Sequence, residues 1–368
     1  MTTPVAGLLA DLAARTVRCL AEAVEPLPEP VLGAVRHQLG LDREGRAGKA
    51  LRPALALLCA DGCGDLDAGL PAAVAVELVH NASLLHDDII DRDETRRHRP
   101  AAWRACGVGT AVLAGDAMTA LALETLARVP RRADLALACL ARTLHDLVAG
   151  QVLDVAFETR QHVPTDHYTA MATGKTAVLM QAACELGALL AGAGAGQLEA
   201  LGGFGRHLGI AFQILDDYHG IWSSCADTGK PAASDLRSRK KTFPVTVALA
   251  EATAPARRLR ALYRQPADLT PEQTQLAVQL ISQTTAREAT RRAVAHARAT
   301  AVQRLNLSNA NPRARRNLLD LADHILADPA LRTGTGDGRA AAPGSGPPGA
   351  MAAESTPCHA DPQKKTQE

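Results

Sequence analysis

The sequence predicts an all-α protein, a bundle of helices around a central polar cavity. Hydrophobic residues make up 47% of the 368 residues, with Ala and Leu dominant, and these two residues favour helices. Apolar residues recur at helical spacing over long windows, while Gly and Pro are mostly confined to the breaks between them. In the stretch 79–97, His80, Asp87 and Asp91 fall on one narrow stripe of an otherwise apolar helix. Such a stripe indicates a helix that lines a polar cavity.

Prolines and glycines separate the predicted helices. Pro53 falls in the first turn of one helix, and Pro71 opens the long helix that carries the polar stripe. The predicted helices cover residues 5–24, 31–39, 51–60, 71–91, 110–128, 132–157, 166–190, 198–222, 244–252, 271–283, 286–305 and 312–326. Residues 223–243 are polar and rich in Lys and Arg, which predicts a loop.

The domain organisation follows from one shift in composition. The sequence shows no boundary within residues 1–330, so we expect one helical domain there. From about Arg332 onward, Gly, Pro, Ser and Thr dominate and large apolar residues are rare. Such a segment cannot bury enough apolar surface to fold, so we expect residues 331–368 to be a disordered tail.

Charge excludes some classes of partner. The formal net charge is +1, which gives no support for a nucleic-acid partner or an anionic membrane surface. The basic stretch 287–304 is the best local candidate for binding anions. We expect a solvated helix face instead, because apolar residues at helical spacing supply a core stripe there. These residues are Val294, Ala297, Ala301 and Leu305.

Cysteine usage and hydropathy indicate a cytoplasmic protein. The eight Cys form no CxxC pair, which favours small buried thiols in a reducing compartment. The N-terminal stretch lacks the basic and apolar regions of a signal peptide, and no strongly apolar window of about 18 residues is present. We therefore expect no membrane span.

Two acidic motifs carry the chemical signal. Asp87, Asp88 and Asp91 supply the hard oxygen ligands that Mg²⁺ prefers, and a second pair, Asp216 and Asp217, lies on a later helix. Alone, each motif is more often a solvated helix end. Several cations accompany them in the sequence: Lys49, Arg52, Arg96, Arg97, Lys175 and Lys240. Together, the motifs suit a site that handles two diphosphates.

The order of these motifs resembles that of the trans-isoprenyl diphosphate synthase (polyprenyl synthetase) family. The resemblance rests on eight motifs in order over roughly residues 45–250: GKALRP, ELVHNASLLHDDIID, TRR, GQVLD, TGKT, FQILDD, GKPAASDL and RKKTFP. DETRRHRP and DLRSRKKTFPV resemble the actinobacterial branch that supplies farnesyl and geranylgeranyl diphosphate. The resemblance implies an isoprenoid synthase-type helical bundle, Mg²⁺ as cofactor and a homodimer.

The resemblance implies roles for the two acidic motifs. Asp87 and Asp91 are implied to hold Mg²⁺ ions against an allylic diphosphate, with Asp88 in support. Asp216 is implied to hold a further Mg²⁺ from the opposite wall, and Asp217 to be a supporting residue or a weaker ligand.

The resemblance also implies two diphosphate-binding regions. Side chains implied to contact the allylic diphosphate are Arg96, Lys175, Gln213 and Lys240, and Thr176 is also expected to bind substrate. Side chains implied to contact isopentenyl diphosphate are Lys49, Arg52, His80 and Arg97. Lys230 falls where the family has a lysine on a flexible lid, and residues 223–241 would form that lid. The residues implied to act in catalysis are Asp87, Asp88, Asp91, Arg96, Lys175, Asp216 and Lys240.

Two positions depart from the family pattern. The second motif is commonly DDxxD in the family, but here Gly220 replaces the last carboxylate, so fewer side chains can hold metal on that wall. The family's Arg-Arg-Gly has become Arg96-Arg97-His98. We expect His98 to fill space or bind water rather than to act as a base.

The implied reaction joins isopentenyl diphosphate to an allylic diphosphate: dimethylallyl, geranyl or farnesyl diphosphate. In the family, bulky residues four and five positions before the first Asp stop the growing chain early, and here these are the small Ser83 and Ala82. We therefore favour a geranylgeranyl product, with farnesyl as the runner-up and longer chains still open.

Two other functions could be carried by the same fold. A class I terpene cyclase steers carbocations with aromatic faces, but this chain has only four Phe, three Tyr and two Trp. A non-catalytic partner subunit would be consistent with Gly220, but the intact first motif argues against it. A prenyltransferase that makes linear products is the preferred interpretation.

Overall fold

The protein is described by a computed structural model that covers residues 4–42, 50–222, 234–265 and 267–327. Two predicted site residues, Lys49 and Lys230, lie outside these described residues. The predicted tail at 331–368 and most of the predicted lid at 223–241 also lie outside them.

The described residues are almost entirely helical, which confirms the all-α prediction. The helices are α1 (Pro4–Val24), α2 (Val31–Leu39), α3 (Leu51–Gly62), α4 (Leu70–Ile90), α5 (Ala102–Cys106), α6 (Val108–Ala127), α7 (Ala133–Thr159), α8 (Thr165–Ala172), α9 (Val178–Leu190), α10 (Ala195–Trp222), α11 (Ser234–Arg237), α12 (Phe243–Ala250), α13 (Ala254–Tyr263), α14 (Pro271–Ser282), α15 (Ala286–Asn306) and α16 (Pro312–Ile325). A 3₁₀ turn, Asp67–Gly69, leads into α4, and a π-helical turn, Thr173–Ala177, joins α8 to α9.

Some short elements were not predicted. Strands β1 (Thr95–Arg96) and β2 (Arg99–Pro100) pair as an antiparallel hairpin, and α5 and α11 span only five and four residues. Elements this short contain too few residues for a periodic pattern. The prediction also missed α13, although Thr253 caps its N-terminus by accepting a hydrogen bond from the Ala256 amide.

Helices α3, α4, α9 and α10 form the centre of the bundle. Helix α3 packs on α9 and α4, and α10 packs on α9 and α15. Every residue of α3 from Pro53 to Gly62 is buried, so this helix is enclosed on all sides. Gly187 of α9 allows the close approach to α3, because a Cβ there would lie 2.0 Å from the Ala56 carbonyl oxygen. The packed centre is the rigid frame on which the polar residues of α4 and α10 are placed.

The basic helix and the cysteines agree with the sequence predictions. Helix α15 buries the predicted apolar stripe, with Leu305 fully enclosed. The described cysteines are free thiols, and Cys59, Cys139 and Cys184 are buried.

Two helical segments are long and apolar enough to cross a membrane by length and composition alone: Asp67–Ile90 and Val108–Ala127. The core helices of globular proteins meet the same criterion, and 61% of the first segment's apolar window is buried inside the fold. Its C-terminal end also carries the acidic residues of the first motif. The absence of a membrane span therefore remains a prediction.

Candidate active site

The first acidic motif lies at the C-terminal end of α4, where each of two carboxylates faces a lysine. The Asp91 amide donates to the Asp87 carbonyl at 2.8 Å, so the two side chains project one turn apart on one face. Lys175 Nζ lies 3.6 Å from Asp87 Oδ2. Lys240 Nζ donates to Asp91 Oδ2 at 2.7 Å. The structure thus brings together four predicted site residues from three distant parts of the chain.

Asp154 is a third carboxylate in this cluster, and the sequence reasoning assigned it no role. Lys175 Nζ donates to Asp154 Oδ2 at 2.6 Å, so the lysine lies between Asp154 and Asp87. Asp154 ends the GQVLD motif on α7. That motif contributed to the family resemblance, and its single carboxylate was the available signal.

A close backbone contact fixes the position of Lys175. Gly150 of α7 lies against the π-helical turn so closely that a Cβ there would be 2.2 Å from the Lys175 amide nitrogen. A Cβ on Gly174 would lie 2.7 Å from the Gly150 Cα. Only glycines allow the two backbones to approach this closely. The pair therefore sets how deeply Lys175 reaches into the carboxylate cluster.

Burial shapes the electrostatics of the cluster. It raises the pKa of Asp87 above its usual range, and Lys175 opposes that rise. Burial alone would lower the pKa of Lys175, but Asp87 and Asp154 together raise it. For Lys240 as well, burial would lower the pKa, but Asp91 together with Asp154 and Asp235 raises it. Both lysines are therefore firmly cationic, and they are available to an anionic ligand.

The β1–β2 hairpin carries the two predicted arginines. Arg96 pairs with the buried carboxylate of Asp88, to which its Nε donates at 2.9 Å. Arg97 and His98 form the turn with φ of 53° and 60°. Two consecutive left-handed residues are the mark of a type I′ turn. Arg97 is exposed at the tip, and His98 occupies a position that favours glycine.

The second acidic motif splits into an exposed and a buried carboxylate. Asp216 is exposed on α10, whereas Asp217 is buried. Asp217 accepts hydrogen bonds from the Tyr168 hydroxyl at 2.5 Å, the Phe243 amide at 2.7 Å and Gln213 Nε2 at 3.0 Å. Burial raises the pKa of Asp217 to about 7, although the Tyr168 bond opposes this. These contacts suit a supporting carboxylate better than a direct metal ligand.

A hydrogen bond joins two of the predicted substrate-binding residues, Thr176 and Gln213. The Thr176 hydroxyl donates to Gln213 Oε1 at 2.6 Å. The amide group of Gln213 thereby connects the π-helical turn to Asp217. Their polar groups form part of the wall beneath the lysines.

The departure at Gly220 has a structural counterpart in Asp235. A Cβ on Gly220 would lie 3.1 Å from Asp235 Oδ2, so the Asp235 carboxylate occupies the space beside the glycine. Asp235 also contributes to raising the pKa of Lys240. A carboxylate is therefore present on this wall, but it comes from α11 rather than α10. Asp235 is the Asp of the GKPAASDL motif, but the sequence motifs alone indicated no role for it.

A separate basic cluster lies on the N-terminal side of the motif. Arg52 Nη1 lies 3.2 Å from His80 Nε2. Burial, with Arg52 nearby, holds the pKa of His80 well below its usual range, so the ring is neutral. Since a guanidinium can only donate, Nε2 is the acceptor and Nδ1 carries the proton. Burial lowers the pKa of Arg52 itself to about 10, and the buried Glu77 opposes that fall.

An elongated cavity of about 590 Å³ opens next to Asp87 and Lys175. It runs between α4 and α7 and is lined by Ser83, His86, Asp87, Ile90, Leu147, Val148, Gln151, Val152, Val155, Ala156 and Lys175. Ser83, one of the two residues predicted to control product length, is on its wall. Ala82, the other, is buried in helix packing. The described lining residues include no Phe, Tyr or Trp.

The donor set fits a hard divalent cation that also binds substrate oxygens. Asp87 and Asp91 offer carboxylates on one face of α4, and Asp216 offers another from α10. Within the described ranges, no group of three or more His, Cys, Asp or Glu is close enough to hold a metal alone. Mg²⁺ is usually held by one or two carboxylates together with substrate phosphates. The residues present therefore fit Mg²⁺ brought in with a diphosphate.

Comparison with known proteins identifies a family and relatives that this chain resembles. A family model described as polyprenyl synthetase matches residues 43–281. The chain is 48% identical over 268 residues to a (2E,6E)-farnesyl diphosphate synthase of Mycobacterium tuberculosis, covering 71% of this chain and 74% of that protein. It is 42% identical over 278 residues to a geranylgeranyl diphosphate synthase of the same organism, covering 71% and 77%.

Solved structures share the fold. A polyprenyl synthetase from Streptomyces coelicolor A3(2) is 36% identical with a TM-score of 0.83, covering 88% of this chain and 100% of that one. A polyprenyl synthase from Caulobacter crescentus CB15, complexed with calcium and isoprenyl diphosphate, is 29% identical with a TM-score of 0.77, covering 88% and 96%. The helices that carry the carboxylates and lysines thus belong to a known architecture.

Proposed function

Since this chain belongs to the polyprenyl synthetase family, we propose that it condenses isopentenyl diphosphate with an allylic diphosphate in a Mg²⁺-dependent reaction. The chain is an enzyme, a trans-prenyltransferase, as its relatives are. The proposed product is a linear trans-prenyl diphosphate. The observation that carries the proposal is the pair of carboxylates, Asp87 and Asp91, each facing a lysine, with Asp87 and Lys175 lining a largely apolar cavity.

Asp87, Asp91 and Asp216 are the residues proposed to hold Mg²⁺, with Asp88 and Asp217 in support. When bound, Mg²⁺ supplies Lewis-acid stabilisation of the negative charge that develops on the departing diphosphate. The calcium in the similar Caulobacter structure supports a divalent cation in this family. The choice of Mg²⁺ for this chain rests on its oxygen-only donor set.

Lys175 and Lys240 are proposed to hold the allylic diphosphate. Both are cationic, and each forms an ion pair with a carboxylate of the first acidic motif, Lys175 with Asp87 and Lys240 with Asp91. A diphosphate placed between them lowers the cost of breaking its C–O bond, because fixed cations face the oxygen that gains charge. Arg96 is held on Asp88 at the edge of the same region and adds a further donor.

Arg52, His80 and Arg97 are proposed to bind isopentenyl diphosphate. Arg52 is in contact with His80, and Arg97 influences the pKa of both. Lys49 and Lys230 remain predictions for substrate binding, because both lie outside the described residues.

The walls of the cavity protect the allylic cation from water. Its aliphatic lining offers few nucleophiles to the cation that remains after the diphosphate leaves. The double bond of isopentenyl diphosphate then attacks, and one proton must depart. His80, although neutral, uses Nε2 to accept from Arg52. We assign the proton to the departing pyrophosphate, which lies beside the cation.

Product length is proposed to be geranylgeranyl. Ser83 leaves the cavity wall open where a bulky side chain would narrow it, and the described lining residues include no Phe, Tyr or Trp. Farnesyl diphosphate is the second candidate, favoured by the higher identity to the farnesyl relative. The allylic substrate accordingly could be dimethylallyl, geranyl or farnesyl diphosphate.

We also propose a homodimer in the cytoplasm without a nucleic-acid partner. Large apolar side chains on α6 and α7 are exposed, including Leu113 at 59% and Val152 at 62%. Exposed apolar patches of this kind mark protein interfaces. Val148 and Val152 line the cavity as well as this surface, so a second subunit there would close the cavity's outer wall.

The test is product analysis with each primer. Purified protein is incubated with Mg²⁺, isopentenyl diphosphate and dimethylallyl, geranyl or farnesyl diphosphate, and the dephosphorylated products are identified by mass. Linear prenols longer than the primer support the proposal. A cyclic hydrocarbon from one substrate would identify a cyclase instead, and no turnover with any primer would favour the non-catalytic partner subunit.

A further inference from the structure

A buried hydrogen-bond network centred on Asp217 includes Tyr168, to which the proposed chemistry gives no role. Tyr168 is 1% exposed, and its hydroxyl donates to Asp217 Oδ2 at 2.5 Å. The Phe243 amide donates to the same oxygen at 2.7 Å. Buried polar groups of this kind are costly unless they are paired, so these hydrogen bonds hold all three groups in place.

The network ends at the segment that carries Lys240. Phe243 is the first residue of α12, and Thr242 before it is extended with ψ of 163°. The first amides of a helix have no partner within the helix, and a carboxylate placed there is a strong acceptor. Asp217 therefore fixes the start of α12, three residues after Lys240.

Two further contacts hold the same segment from the other side. Lys241 is 7% exposed and donates to the Glu158 carbonyl at 3.0 Å. The Tyr168 ring packs edge-on against the Phe243 ring, with centroids 5.4 Å apart. Directly before these anchored residues, Lys240 Nζ donates to Asp91 Oδ2 at 2.7 Å.

We propose that Tyr168 is a positioning residue for Lys240, and this rests on the proposed function of Lys240 as a diphosphate ligand. The Tyr168 hydroxyl orients the Asp217 carboxylate toward the Phe243 amide, and that bond sets where the Lys240 ammonium lies relative to Asp91. Asp217 accordingly acts as a hydrogen-bond acceptor that supports α12, with both of its oxygens bonded to protein donors.

Tyr168→Phe tests the inference, because it removes only the hydroxyl and keeps the ring against Phe243. The matched control is Tyr263→Phe. Tyr263 is also buried, but its hydroxyl has no hydrogen-bond partner among the described residues. We expect Tyr168→Phe to weaken binding of Mg²⁺-pyrophosphate by about tenfold in calorimetry. We expect Tyr263→Phe to change it by less than about twofold.

A second measurement reads the position of Lys240 without any substrate. A short pulse of acetic anhydride, followed by peptide mass spectrometry, gives the acetylation rate of the Lys240 amine. The ion pair with Asp91 protects that amine, so its rate should rise about tenfold in Tyr168→Phe and stay at the wild-type value in Tyr263→Phe. Equal rates in all three proteins would overturn the inference. Absence of prenyl products in the wild type would count against the proposed function alone.

A double variant separates positioning from general loosening. If Tyr168 acts through Lys240, then adding Tyr168→Phe to Lys240→Met should weaken pyrophosphate binding by less than about twofold. A full tenfold further loss in that background would show that Tyr168 acts by another route. Should Tyr168→Phe fold poorly, Asp217→Asn removes an acceptor oxygen from the same network and is expected to raise Lys240 acetylation in the same way.

Discussion

Gly150→Ala is the sharpest test of how the fold places Lys175. The added Cβ would lie 2.2 Å from the Lys175 amide nitrogen and 2.4 Å from the Gly174 carbonyl carbon. Both are backbone atoms, which cannot rotate away. Ordinary contact begins near 3.4 Å, so α7 and the π-helical turn must separate by about 1 Å. Lys175 would then move away from Asp87 and Asp154 by a similar distance.

Both activity and stability should respond to Gly150→Ala. A misplacement of about 1 Å in a positioning group costs roughly 10²-fold in turnover. Overpacking costs about 1–3 kcal/mol of unfolding free energy, or roughly 2–4 °C of Tm for each kcal/mol. Steady-state kinetics and thermal unfolding measure the two effects. Gly196→Ala is the control, because no described atom outside its immediate surroundings lies within 4 Å of its added Cβ. Wild-type kcat and Tm in Gly150→Ala would refute the reasoning.

Three further substitutions follow from the site. His98→Gly should raise the free energy of unfolding by about 1 kcal/mol, because a φ of 60° strains any residue with a Cβ. Chemical denaturation measures this change, and a lower free energy of unfolding in the variant would contradict the prediction. Asp235→Asn should raise the Mg²⁺ concentration for half-maximal rate about tenfold, if the Asp235 carboxylate helps to hold Mg²⁺. Gly220→Ala should change that concentration by less than about threefold, and equal effects of the two substitutions would exclude Asp235 from Mg²⁺ binding. Ser83→Phe should shorten the product by at least one isoprene unit, because the Phe ring would project from the wall into the cavity. Mass spectrometry of the product measures this, and an unchanged product would show that Ser83 does not control product length.

The long helices were predictable because each carries several turns of apolar periodicity. The helix that ends at Asp91, the break at Pro71 and the stripe of His80, Asp87 and Asp91 all follow from local spacing. The π-helical turn at Thr173–Ala177 was not predicted, and the sequence indicates one helix over residues 166–190, because a single wider turn leaves the periodicity on both sides almost unchanged.

The site pairings were not predictable in the same way. Lys175 meets Asp154 and Asp87 only because Gly150 and Gly174 let two backbones touch, and that contact spans separate helices. Asp235 lies beside Gly220 only after α11 folds back onto α10. Such contacts join residues with no common local pattern. Sequence motifs identified which residues carry charge, and tertiary packing decided which charges meet.

Substitution of Asp87 tests the central claim most directly. Asp87→Ala removes the half-buried carboxylate that faces Lys175, and turnover of isopentenyl diphosphate with farnesyl diphosphate should fall by about 10³-fold or more. Asp320→Ala, at an exposed helix position on α16, is the matched control and should keep wild-type turnover. Circular dichroism checks that both variants retain their helices. Turnover in Asp87→Ala within about tenfold of the wild type would contradict the assignment of this carboxylate to the chemistry.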